Sequence, residues 1–186
     1  MLRARPGGFF YNEEELETMY LDAKLFIEHG ADGIVFGFLN SDASIDIENT
    51  KKFVDLAHEN NVEAIFHRAF DRAKDPIQAI EDLIECGVDR VLTSGQMPSA
   101  DLGIDLLAKL NADYGDKIGF CVGAGVNKDN VKEIIEKTDI SEVHSSFKVW
   151  YEDPTTNGNV SYQYSSNGDY EGVGKEKLRE FIDHLR

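Results

Sequence analysis

Basic residues are scarce: 19 Lys and Arg stand against 35 Asp and Glu, leaving a net charge of −16 on 186 residues. Nucleic-acid affinity comes from cations that neutralise phosphates, so this balance argues against nucleic acid and against an anionic membrane surface as partners. Cysteine is nearly absent. Cys86 and Cys121 are the two present, with no CxxC, HxH or HExxH spacing, which leaves no disulfide framework and no compact metal motif. Long apolar runs are missing too. None approaches the roughly 20 residues of a membrane span, and no signal-peptide pattern precedes the first apolar segment. There is no nucleophile elbow, P-loop or EF-hand. The expectation is a soluble cytoplasmic protein with reduced thiols, its acidic runs such as Glu13-Glu14-Glu15-Leu16-Glu17 lying on solvated faces.

What is present is repetition. Apolar runs begin near Leu2, Gly33, Val62, Arg90, Ile118 and Glu142, at intervals of 24–31 residues, each followed by a helical pattern. Strands alternating with helices in this way predict βαβ crossovers on a parallel sheet. A closed (β/α) barrel needs eight such units. Six predict either an open α/β sheet or a TIM-type barrel lacking its first quarter.

Gly30-Ala31-Asp32-Gly33-Ile34-Val35-Phe36-Gly37 and Gly87-Val88-Asp89-Arg90-Val91-Leu92-Thr93-Ser94-Gly95 repeat each other in outline, with a weaker copy at Thr138-Asp139-Ile140-Ser141-Glu142-Val143-His144. In the first two, a glycine closes a helix, an Asp follows, and a largely apolar run reads as a strand buried on both faces. This is one repetitive domain over residues 1–186. Helical periodicity is clear in Leu16, Met19, Tyr20, Ala23, Phe26 and Ile27. Asp75-Pro76 predicts a helix start, and Asn127 is the expected cap of the helix carrying Val131, Ile134 and Ile135. Tyr151–Gly174, rich in Asn, Gly, Ser, Thr and Tyr, reads as a long mobile loop before a last helix at Lys175–Leu185.

Ligands of parallel α/β proteins gather at the C-terminal ends of the strands. The polar residues expected there are Arg3 and Arg5; Asn40; His67, Arg68 and Asp71; Thr93, Ser94 and Gly95; Gly123 and Gly125; and His144, Ser145 and Ser146. Gly123-Ala124-Gly125-Val126-Asn127 leads a strand through glycines into a helix cap, a turn whose N–H groups suit an anion. Close helix–strand packing would need the same small residues. His67 and Arg68 fall on opposite faces of one strand. His67 is a candidate metal ligand, proton carrier or hydrogen-bond donor; Arg68 and Asp71 form a structural ion pair in the plainer reading. Cys121, His67 and His144 could in principle hold a soft metal such as Cu(I) or zinc, whereas a buried cysteine is more often a small hydrophobe.

Leu2-Arg3-Ala4-Arg5-Pro6-Gly7-Gly8-Phe9-Phe10-Tyr11, Phe66-His67-Arg68-Ala69-Phe70-Asp71, Arg90-Val91-Leu92-Thr93-Ser94-Gly95 and Gly123-Ala124-Gly125-Val126-Asn127 together resemble the CutC family of copper-homeostasis proteins, from the first residue to the last helix. The resemblance implies a TIM-type barrel of which this chain supplies strands three to eight, and copper as the associated metal. The cysteines proposed as copper ligands in some relatives fall in the region that would precede Met1. The sequence therefore predicts a CutC-like α/β protein associated with copper homeostasis. One rival is an enzyme acting on a small anionic or phosphorylated molecule, with Arg3 and Arg5 for charge, His67 for proton transfer and Gly123, Gly125, Asn127 and Ser146 near the anion. The other is a non-catalytic remnant. Partners are a small molecule or metal ion and, through open sheet edges, a second copy of the chain.

Overall fold

Local turn chemistry sets the limits of each crossover in the computed structural model, which describes residues 1–156 and 158–186. Helix α1 (Glu13–Glu28) opens on a capping box: the Asn12 side chain accepts from the Glu15 N–H, and the Glu15 carboxylate accepts from the Asn12 N–H. Gly30, at φ 86°, turns the chain into β1 (Gly33–Phe36). There follow α2 (Ile47–Glu59), β2 (Glu63–Phe66), α3 (Pro76–Cys86), β3 (Arg90–Thr93), α4 (Ile104–Tyr114), β4 (Gly119–Val122) and α5 (Val131–Thr138). As Asp75-Pro76 predicts, the Asp75 carboxylate accepts from the Ile77 and Gln78 N–H groups at the start of α3. Asn130, not Asn127, is the cap residue of α5; Asn127 instead organises the turn before it, its side chain accepting from the Asp129 N–H.

The four strands are parallel and ordered β1-β2-β3-β4. Gly33 pairs with Glu63, but Arg90 pairs with Ile65, two positions into β2. That offset is the stagger by which strands of a barrel tilt. The two other strands expected from the sequence are reduced to edge traces. On one side the Leu2 N–H donates to the Val35 carbonyl at 2.7 Å. On the other, Val143 makes an isolated parallel bridge with Val122. Neither segment can run on: Arg3 turns its guanidinium onto the Arg5 and Gly7 carbonyls, and the Ser145 hydroxyl donates to the Val126 carbonyl.

The segment expected as loop contains regular structure. β5 (Lys148–Tyr151) and β6 (Tyr170–Val173) pair as an antiparallel hairpin, with Tyr151 opposite Tyr170. Helix α6 (Lys175–Leu185) follows. Two short strands joined by a long polar connection carry little local signal; cross-strand contacts such as the Tyr151–Tyr170 stack, 5.3 Å between centroids, hold them.

Strand residues alternate. Ile34, Phe36, Ala64, Phe66, Val91, Thr93, Phe120 and Val122 are buried; Phe36 meets Phe53 of α2 with centroids 5.4 Å apart. Each such aromatic side chain contributes about 2–3 kcal/mol on burial. The opposite face, with Val35, Ile65, Leu92 and Cys121, is only half-buried, a correction to strands buried on both sides. An arc of four strands leaves its concave face partly open. Across that face Arg90 pairs with Glu63 at 3.4 Å and Glu142 at 2.9 Å, joining β2, β3 and the Val143 edge. Among the described residues, no helix is long and apolar enough to cross a membrane.

Candidate functional site

The C-terminal ends of β2 and β3 are fastened by one carboxylate. Asp71, in the turn after β2, accepts from the Thr93 hydroxyl at 2.6 Å, the Ser94 N–H at 3.0 Å and the Gln96 N–H at 3.2 Å. It also pairs with the Arg68 Nε at 2.7 Å. The Arg68 Nη2 donates to the Ser94 hydroxyl at 3.0 Å. Thr93 and Ser94 are fully buried, and the Thr93 hydroxyl accepts from the Gly95 N–H. Asp71 thus ties the two strand ends together through all of these donors. Two edges of the Arg68 guanidinium are fixed, and its Nη1 has no partner among the described residues.

Arg68 faces a cleft of about 610 Å³ lined also by Leu92, Gly125, Asn127, His144, Ser145 and Ser146. The Ala124–Asn127 turn lines it, and Gly123 lies just before that turn. A Cβ on Gly123 would lie 2.8 Å from the Leu92 Cδ1 and 3.6 Å from the His144 Cβ, so glycine keeps this space clear. Ala124 and Gly125 both have positive φ, 79° and 72°. Several residues of this cleft were not among the candidates from sequence: Lys128, Asp129, Lys148, Lys177 and Glu180. Nothing in the local pattern of α6 marks it as a cleft wall; the Phe147–Phe181 contact, 5.0 Å between centroids, brings it there.

The other candidates lie apart from this cleft. Arg5 pairs with Glu15 and donates to the Phe10 carbonyl, while Arg3 lies over the Phe9 ring at 4.8 Å. His67 is buried. Its ring packs 5.1 Å from that of Phe9 and occupies the space that a Gly37 side chain would fill. Its Nδ1 accepts from the Ala69 N–H at 3.1 Å, so Nε2 carries the proton and has no partner. Burial, then the positive charge of Arg3, pushes the His67 pKa down to about 4. It is neutral at physiological pH.

A parallel array of βα units with a polar cleft at the strand ends is a barrel-type α/β protein. The CutC family pattern matches residues 1–149, and the chain belongs to the CutC family. It is 42% identical over 190 residues to a CutC family protein of Treponema denticola, a match covering all of this chain and 76% of that protein. It is 40% identical over 148 residues to one from Vibrio cholerae, covering 80% of this chain and 58% of the relative. Among solved structures it resembles CutC of Streptococcus agalactiae, named for copper homeostasis, with a TM-score of 0.72 and 28% identity over 77% of this chain and 69% of that one. A structure named native KDPGal, at TM-score 0.53 and 14% identity, shares the fold. The family match ends within β5, so most of the hairpin and all of α6 lie beyond it.

The donors of this chain do not fit copper, the metal implied by the family name. Among the described residues, no three His, Cys, Asp or Glu side chains stand where they could share an ion. The Cys86 thiol, on α3, is pushed up to about 11 by burial and by Asp82. The Cys121 thiol, on β4, is raised by burial and by Glu142. Both favour the protonated form, while metals bind the thiolate.

Proposed function

We propose that this CutC family chain binds a small anionic molecule at the strand-end cleft, and that any link to copper homeostasis runs through that ligand rather than a copper site of its own. The supporting observation is the Arg68 guanidinium, held on two edges by Asp71 and Ser94 with Nη1 left for a ligand. Pre-positioning matters because an arginine already immobilised loses little further entropy when it grips an oxyanion. The Ser146 hydroxyl, His144 and the Ala124–Asn127 turn share the lining. The ordered, family-matching cleft favours this reading over a non-catalytic remnant. No side chain here is assigned a proton-transfer step: Asp71 ties the strand ends together and His67 lies outside the cleft.

Calorimetric titration of inorganic phosphate into the chain tests the proposal. Saturable binding, weakened about tenfold or more in Arg68→Ala and much less in Arg3→Ala, is the expected result; a charge-assisted hydrogen bond of this kind supplies roughly 1.5–3 kcal/mol. Equal binding by Arg68→Ala and the unmodified chain would refute it.

A further inference from the structure

The cleft is larger than its anionic end requires. A water molecule takes up about 30 Å³, so a bare oxyanion displaces only a few, against a cleft of about 610 Å³. Part of the remaining wall is apolar, with Leu92 rising from β3, Val126 in the turn after β4 and Phe147 beside α6, while Asp129 adds a carboxylate. Phe147 is half-buried, its ring meeting Phe181.

The cations are unequal. Lys148 pairs with Glu171 of β6. Lys128 pairs with Glu180 at 2.6 Å. Lys177 donates to the Lys148 carbonyl at 2.8 Å and has no carboxylate partner among the described residues. Lys177 and Glu180 are three residues apart on α6 and both line the cleft. Among the cleft lysines the positive charge without a carboxylate partner is therefore that of Lys177 on α6, while Asp129 is a lining carboxylate without a cationic partner among the described residues.

Building on the anion reading, we infer that the ligand is an anion carrying an apolar body, such as an aryl or alkyl phosphate or carboxylate. Its charged group lies between Arg68 and Lys177 and its body against Leu92, Val126 and Phe147. Glu180 neutralises Lys128 and so limits how much negative charge the cleft accepts. The residues that decide this selectivity, Lys177 and Glu180, lie beyond residues 1–149, the part matched by the family pattern.

Titration of the full chain with inorganic phosphate, phenyl phosphate and phenol tests the inference. Phenyl phosphate binds about tenfold more tightly than inorganic phosphate, as burial of one ring face provides, and phenol binds far more weakly than either. Glu180→Gln strengthens both phosphates by about threefold and Lys177→Met weakens both by a similar factor, the scale of exposed charges. Equal affinities for the two phosphates, or phenol matching phenyl phosphate, overturns the inference while leaving the anion site standing. Absence of binding by every phosphate overturns the site and the inference together.

Discussion

Gly95 and Gly103 cross with their backbones in contact. A Cβ on Gly95 would lie 2.4 Å from the Gly103 carbonyl oxygen, and one on Gly103 would lie 1.9 Å from the Ser94 carbonyl oxygen. Gly95 also has φ 68°, a region unfavourable for other residues. The crossing presses the turn after β3 against the short helical turn Ala100–Gly103 and holds Ser94 where it can meet Asp71 and Arg68. Gly95→Ala is expected to cost about 3 kcal/mol, combining steric overlap with backbone strain. Chemical denaturation measures this, and phosphate affinity falls in parallel because Arg68 loses its Ser94 support. A variant with unchanged stability would show that the crossing relaxes freely.

His67 sets a pH dependence. Its folded pKa of about 4 lies below the ordinary value of 6.5, so the unfolded chain takes up the proton first as pH falls. The stabilisation is complete above about pH 6.5, is lost progressively toward pH 4 and changes no further below that. The full span is about 3 kcal/mol. Denaturation between pH 4 and 7 measures it: the difference between the unmodified chain and His67→Gln narrows on acidification. A constant difference would mean that His67 titrates alike in the folded and unfolded chain.

Copper affinity should be weak. Competition against a strong Cu(I) chelator is expected to leave the isolated chain without metal, since Cys86 and Cys121 lie on different elements with raised pKa values. Retention of one equivalent that disappears in Cys121→Ser would give Cys121 the role denied to it here.

The sheet has two nearly unpaired edges, Leu2 with one backbone bond to β1 and Val143 with one bridge to β4. Beside them lies a half-exposed apolar face. Unpaired edges recruit other strands, so light scattering should show concentration-dependent self-association of the 186-residue chain. A monodisperse monomer at high concentration would show that the hairpin and loops protect both edges.

Much of this protein is decided locally. Asp75-Pro76 starts a helix because a carboxylate caps free N–H groups and proline needs none. Gly30 and Gly87 end helices because they tolerate positive φ, and the repeated turn into an apolar run forces strand after helix. Even the Arg68–Asp71 pair lies within four residues of sequence and was legible there. Long-range packing decided the rest. Local pattern does not reveal that the strands at Leu2 and Val143 shrink to single contacts, that Lys148–Tyr151 pairs with Tyr170–Val173 across a polar connection, or that α6 carries Lys177 and Glu180 to the cleft. His67 has strand-end placement in sequence, yet its ring is committed to Phe9 and Gly37 rather than to the ligand cleft. Capping and periodicity act over a few residues, so the sequence alone specifies the helices, the four central strands and the family resemblance. Which side chains share a cavity depends on contacts made across the whole chain, and only the tertiary structure supplies those.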